Sequence, residues 1–139
     1  MSINEIQDEI IDEFGLFEDW MDKYDLLIDL GKRLPLIDDQ YKDEDHLIKG
    51  CQSRVWLHAG LDGDMVKFTA DSDAIITRGI IALLIRVLSD QKPEDIAHAD
   101  LYFIEKIGLD QHLSPTRSNG LRSMVKQMKL YGLALTTQQ

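Results

Sequence analysis

The side chains able to do chemistry are few in this chain. Cys51 is its single cysteine, which rules out an intramolecular disulfide and a cage built of several thiolates. A thiol is mostly protonated at neutral pH, and its thiolate is the nucleophile in exchange and acyl transfer. Four histidines, His46, His58, His98 and His112, are the bases available to it. A Cys–His pair would suit a hydrolase or transferase. Yet nothing around Cys51 resembles a nucleophile elbow or a protease signature. For zinc the pool is thin, with no CxxC, no HExxH and no two histidines four apart. The carboxylates Asp38, Asp39, Asp43, Glu44 and Asp45 lack the spacing and central glycine of a calcium loop. No glycine-rich phosphate loop is present. Ser118-Asn119-Gly120, read as a helix start, would offer amides to an anion, and helix capping explains it equally well. Arg117 at that start puts a cation at the positive end of a helix, where it needs a second contact. A carboxylate or an anionic sulfur would serve, and both stay open.

The elements around these residues change period at the cysteine. Ser2 and Glu5 form a capping-box pattern, followed by Ile3, Ile6, Ile10 and Phe14 at helical spacing, with Gly15 as a stop. A second helix is expected from about Phe17 to Leu34, closed by Pro35. The acidic residues Asp8, Glu9, Asp12, Glu13, Glu18, Asp19 and Asp22 read as a solvated face of these helices. Gly50, which tolerates a positive φ, places Cys51 at a strand entrance. After it Val55 and Leu57 alternate with Arg54, Trp56 and His58, Asp62-Gly63 marks a hairpin turn, and Val66, Phe68 and Ala70 share one face of the return strand. His46-Leu47-Ile48 suggests a short additional strand. Asp71-Ser72-Asp73 caps a helix opening at about Ala74 that is apolar nearly all round and belongs in the core. Short helices are expected after Lys92 and from Leu101 to Ile107. A final helix follows Gly120, with Leu121, Met124, Val125, Met128 and Tyr131 as its core stripe. The expected fold is α+β, with a small antiparallel sheet (a hairpin at about 53–70) covered by helices from both chain ends.

Composition sets the outer limits. At 139 residues, with 44% hydrophobic residues and no linker or repeat, residues 1–139 read as one globular domain. A net charge of −10 argues against nucleic acid or anionic membrane as the main partner. The apolar run from Ala74 to Leu88 is too short for a membrane span and contains Arg78 and Arg86. With no signal peptide at Met1-Ser2-Ile3-Asn4-Glu5 and a lone cysteine, a cytoplasmic location is expected.

Gly50-Cys51-Gln52-Ser53-Arg54-Val55-Trp56 resembles the GCQSxVW motif of the SufE-like sulfur-acceptor family, which includes the CsdE proteins. Three further stretches agree in order and spacing: Leu30-Gly31-Lys32-Arg33-Leu34-Pro35; Asp71-Ser72-Asp73-Ala74 with Gly79 following; and Leu113-Ser114-Pro115-Thr116-Arg117-Ser118-Asn119-Gly120-Leu121. The resemblance runs from about Trp20 to Leu133, and Asn119 is a conservative departure. It implies a carrier that docks on a PLP-dependent cysteine desulfurase of the SufS or CsdA type and stimulates it. The carrier accepts persulfide sulfur on Cys51 and passes it to an iron–sulfur cluster scaffold or another acceptor. It implies no cofactor and no metal for this chain, since the partner carries the PLP. Gly50, Gln52 and Ser53 match the acceptor motif. Asp73 and Arg117 match further motif positions and are assigned to positioning the cysteine loop or the partner contact. The implied fold is that of IscU-type scaffolds, which hold a cluster with three cysteines where this chain has one. A weak homodimer is left open.

Persulfide transfer is thiol exchange, so a positive field from Lys49, Arg54 or Arg117 is expected to lower the thiol's pKa. Cys51 is expected to shelter against the apolar face of the hairpin and to swing out on Gly50 when docked. Two other readings compete: a stand-alone hydrolase or transferase using Cys51 with His46 or His58, and an adaptor that stimulates its partner by binding alone.

Overall fold

The computed structural model describes residues 1–137. It has seven helices and one two-stranded antiparallel sheet: α1 Ile3–Gly15, α2 Trp20–Gly31, β1 Val55–Asp62, β2 Met65–Ser72, α3 Ile75–Leu88, α4 Pro93–Ala97, α5 Phe103–Lys106, α6 Leu109–His112 and α7 Pro115–Thr136. The α+β architecture expected from the sequence is the one observed.

The hairpin registers Val55 on Ser72 and Asp62 on Met65, which makes Gly63-Asp64 its two-residue turn. Gly63 takes a positive φ of 64° there, the conformation such turns require. Val55, Leu57, Val66, Phe68 and Ala70 are buried and form the inner face of the sheet. They join one hydrophobic cluster with α3, whose residues from Gly79 to Ile85 are all buried. Gly31 and Gly79 are small because α2 crosses α3 there. A Cβ on Gly31 would come within 2.9 Å of the Gly79 amide nitrogen.

The Ser2–Glu5 capping box at α1 is present. The second helix is shorter than the sequence pattern suggests, because Asp19 accepts from the Met21 amide and so fixes its start. His46-Leu47-Ile48 is a 3-10 turn followed by a single bridge, Leu47 to Trp56, and not a strand. The acidic N-terminal residues are less idle than a solvated face. Glu9 and Glu13 both pair with Arg86 of α3, and Asp8 accepts from the Tyr102 hydroxyl at 2.8 Å. Gln7, fully buried, ties α1 to the α4–α5 link by donating to the Asp100 carbonyl and accepting from the Phe103 amide.

Two boundaries bear on function. The last helix starts at Pro115, capped by the Ser114 hydroxyl, so Ser118-Asn119-Gly120 lies inside α7 and not at its start. The amides of that triplet are therefore not a free anion cradle. At the other boundary, the start of α3, no side chain caps the helix. Asp73 is turned elsewhere.

Candidate functional site

Cys51 lies in the segment between the turn at Lys49-Gly50 and the first residue of β1. Gly50 has a φ of 94°, a left-handed conformation that costs a residue with a Cβ about 1–2 kcal/mol. The same glycine presses on α7 so closely that a Cβ would overlap the Ser123 hydroxyl. Both constraints demand glycine, and together they lay the next residue on the helix. The Cys51 thiol accordingly meets Gly120: it donates a long hydrogen bond, 3.5 Å, to the Gly120 carbonyl oxygen. A Cβ on Gly120 would sit 3.4 Å from the sulfur.

Asp73 ties down the other end of the segment. Its carboxylate accepts from the Arg54 amide at 3.1 Å, and its own amide donates to the Arg54 carbonyl at 3.3 Å. The neighbouring Asp71 is buried and paired with Lys42 at 2.8 Å and Arg78 at 3.0 Å. Those two cations, with the Ser72 amide, hold its carboxyl below the usual range against the opposing effect of burial. The β2–α3 corner that anchors Arg54 is thus itself fixed by an ion-pair node.

The thiol opens onto a cleft of about 390 Å³. Gln52 and Ser53 of the cysteine segment, Thr77 and Ile80 of α3, Ser114 before α7, and Thr116, Arg117, Gly120 and Met124 of α7 line it. The structure therefore brings Cys51, Gln52, Ser53 and Arg117 to one cleft, with Gly50 and Asp73 at the two ends of the loop. Cys51 is half-buried, and burial pushes its thiol up from the ordinary pKa. This corrects the expectation of a thiol lowered by Lys49, Arg54 or Arg117, because desolvation is the cause found and it acts in the opposite direction. Cys51 packs against the hydrophobic core that the hairpin's apolar face joins, and Gly120 of α7 lies against its sulfur.

No histidine lines this cleft among the described residues. His46 Nδ1 donates to the Asp43 carboxylate at 2.7 Å, and His58 stacks on Tyr41 with ring centroids 3.9 Å apart. His112 stacks on Trp20 at 4.0 Å. The described residues contain no group of three or more His, Cys, Asp or Glu arranged to hold a metal. Thr77, Ile80, Ser114, Thr116 and Met124 are the cleft residues that sequence reasoning passed over. Ser114 and Thr116 lay within a stretch matching the family, Met124 was read as core of the last helix, and α3 reads simply as core.

The SufE family, described as an Fe–S metabolism associated domain, matches residues 8–131. The chain belongs to this family. An uncharacterized SufE-like protein of Rhizobium etli is 42% identical over 127 residues, covering 88% of this chain and 86% of the relative. A second uncharacterized SufE-like protein, from Rhizobium meliloti, is 39% identical over 127 residues, covering 88% of this chain and 91% of its own length. The solution structure of a hypothetical protein from Thermus thermophilus superposes with a TM-score of 0.79 over 95% of this chain and 96% of that one. At 18% identity it shows the shared fold alone. As a SufE-like domain the chain has its place in Fe–S metabolism. No helix among the described residues is long and apolar enough to cross a membrane.

Proposed function

We propose that this chain is a persulfide-carrying sulfur acceptor that docks on a cytoplasmic PLP-dependent cysteine desulfurase of the SufS or CsdA type and stimulates it. Cys51 takes the sulfur and delivers it to Fe–S cluster assembly. The observation that carries the reading is the placement of the lone thiol. It is half-buried on a loop seated against glycine on α7, opening into a cleft with hydroxyls and Arg117 but, among the described residues, no histidine. A hydrolase needs a base beside its nucleophile. A carrier needs the partner to supply reactivity, and a sheltered protonated thiol suits that need.

In the transfer, the Cys51 sulfur attacks the outer sulfur of the desulfurase persulfide. A new S–S bond forms on Cys51, the donor S–S bond breaks, and the donor cysteine leaves as a thiolate that takes up the proton lost by Cys51. No net oxidation occurs. For attack the thiol must lose its proton, which burial opposes. Docking therefore draws the loop off α7, with Gly50 as the pivot, Asp73 as the fixed end, and Arg117 as the cation facing the new anionic sulfur. Intact mass after incubation with desulfurase and cysteine tests this. A reducible gain of sulfur in the wild type, absent in Cys51→Ser, is expected. Stimulation that survives Cys51→Ser with no sulfur gained would favour a binding-only adaptor. Equal alkylation rates of Cys51 with and without the desulfurase would count against the loop movement.

A further inference from the structure

A concavity of about 790 Å³ lies away from Cys51 between α7 and residues 97–110. We propose that it is a docking groove for one amphipathic helix of a partner protein, with carboxylates along one flank of that helix and cations along the other. The inference does not depend on the sulfur-carrier reading.

The shape argues for a helix. Lining residues on α7 run from Ser118 to Leu133, which at 1.5 Å per residue is a trough of about 22 Å, or about four helical turns. Leu121, Val125 and Leu133 line it from α7, and Leu101 and Ile104 line it from the opposite wall. Leu133 is 54% exposed and the neighbouring Leu130 46%, so the apolar surface continues onto the rim. A long open apolar trough takes an amphipathic helix through residues spaced three and four apart.

The charges argue for its chemistry. The sequence of α7 contains Arg117, Arg122, Lys126 and Lys129 and no carboxylate, in a chain of net charge −10. Arg122, Lys126 and Lys129 fall at i, i+4 and i+7 and line one wall. Asp100, Glu105 and Asp110 line the other. None of these six has an oppositely charged side chain within salt-bridge distance among the described residues. Asp110 also has one carboxylate oxygen buried without a hydrogen-bond partner. Two unpaired rows of opposite sign beside an apolar floor match a helix charged oppositely on its two flanks, and such complementarity fixes register and partner choice.

The test titrates the full-length protein under reducing conditions with fluorescein-labelled synthetic helices of about fifteen residues. Each has leucines at i, i+4, i+7 and i+11, and the flanks are Glu/Lys, Glu/Glu or Lys/Lys. The Glu/Lys helix is expected to bind about tenfold more tightly than either single-charge helix, and Lys126→Glu/Lys129→Glu is expected to weaken it about tenfold. Amide resonances of Leu101, Ile104 and Val125 should shift, and those around Cys51 should not. Far-UV circular dichroism checks that the doubly substituted protein is folded. Equal affinities for the three helices, binding unchanged by the charge reversal, or shifts confined outside the groove would each overturn the proposal. So would dodecanoate, phosphatidylglycerol vesicles or self-association moving these resonances when no helix does.

Discussion

The Cys51 loop and the histidine cluster beside the hairpin both contain residues of reactive type, but they are held in opposite ways. His46 and His58 are each held by a partner: Asp43 on one ring, Tyr41 stacked on the other, and the two rings 5.5 Å apart. Cys51 is held by one long hydrogen bond and by the close seating of glycine on helix. The first arrangement fixes one ring by a carboxylate and the other by stacking. The second leaves a thiol that only contact and burial restrain. On the proposed function, the reactivity of Cys51 depends on how its loop is seated and not on a neighbouring base.

Unseating the loop should produce the largest change. Gly50→Val combines a disfavoured φ with an overlap on Ser123. It is expected to lower stability by about 1–3 kcal/mol and to raise the rate of Cys51 alkylation about tenfold. Denaturant unfolding and timed iodoacetamide labelling check both numbers. A rate equal to wild type would break the claim that seating restrains the thiol. Asp73→Ala releases the opposite end by removing the acceptor for the Arg54 amide. A smaller loss is expected there, about 0.5–1 kcal/mol, with labelling faster by a few-fold.

The two regions should also respond to pH in opposite directions. His58 is depressed by burial and by the nearby His46. Its contribution to stability is therefore present above the ordinary histidine pKa and is lost as the pH falls through the folded value. Cys51 is raised by burial, so its contribution is present below the ordinary thiol pKa and is lost as the pH rises through the folded value. Unfolding midpoints measured across the pH range should fall on the acid side in wild type and less so in His58→Phe, which retains a ring to stack on Tyr41. The pH profile of Cys51 labelling should have its midpoint above that of a free thiol, and a midpoint below it would contradict the desolvated environment. The smallest effect is expected for His46→Asn and His58→Phe on sulfur uptake, which should stay within about twofold of wild type if neither ring serves as the base.

Much of this was legible in the chain, and the gaps have physical causes. The hairpin could be read because alternation at Val55, Leu57, Val66, Phe68 and Ala70 and the glycine at its turn all agree. The loop cysteine could be read because the flanking motif singles it out. The start of α7 was missed because Ser118-Asn119-Gly120 looks like punctuation, while the cap that operates is Ser114 with Pro115 behind it. Asp73 looked like a helix cap because an acidic residue before an apolar run usually is one. Its actual role is a long-range tie to Arg54, which local spacing does not encode. The direction of the Cys51 pKa was misjudged for the same reason. Nearby cations are visible in sequence, whereas burial of the thiol against Gly120 depends on a contact made across the fold.

The central claim is that Cys51 receives sulfur, and intact mass spectrometry tests it most directly. Wild-type protein and Cys51→Ser are each incubated with a cysteine desulfurase and cysteine, then weighed before and after reduction. The account predicts a gain of one or more sulfur atoms in the wild type, reversed by reductant and absent from the variant. Sulfur retained by Cys51→Ser, or none gained by wild type while the desulfurase turns over, would contradict it.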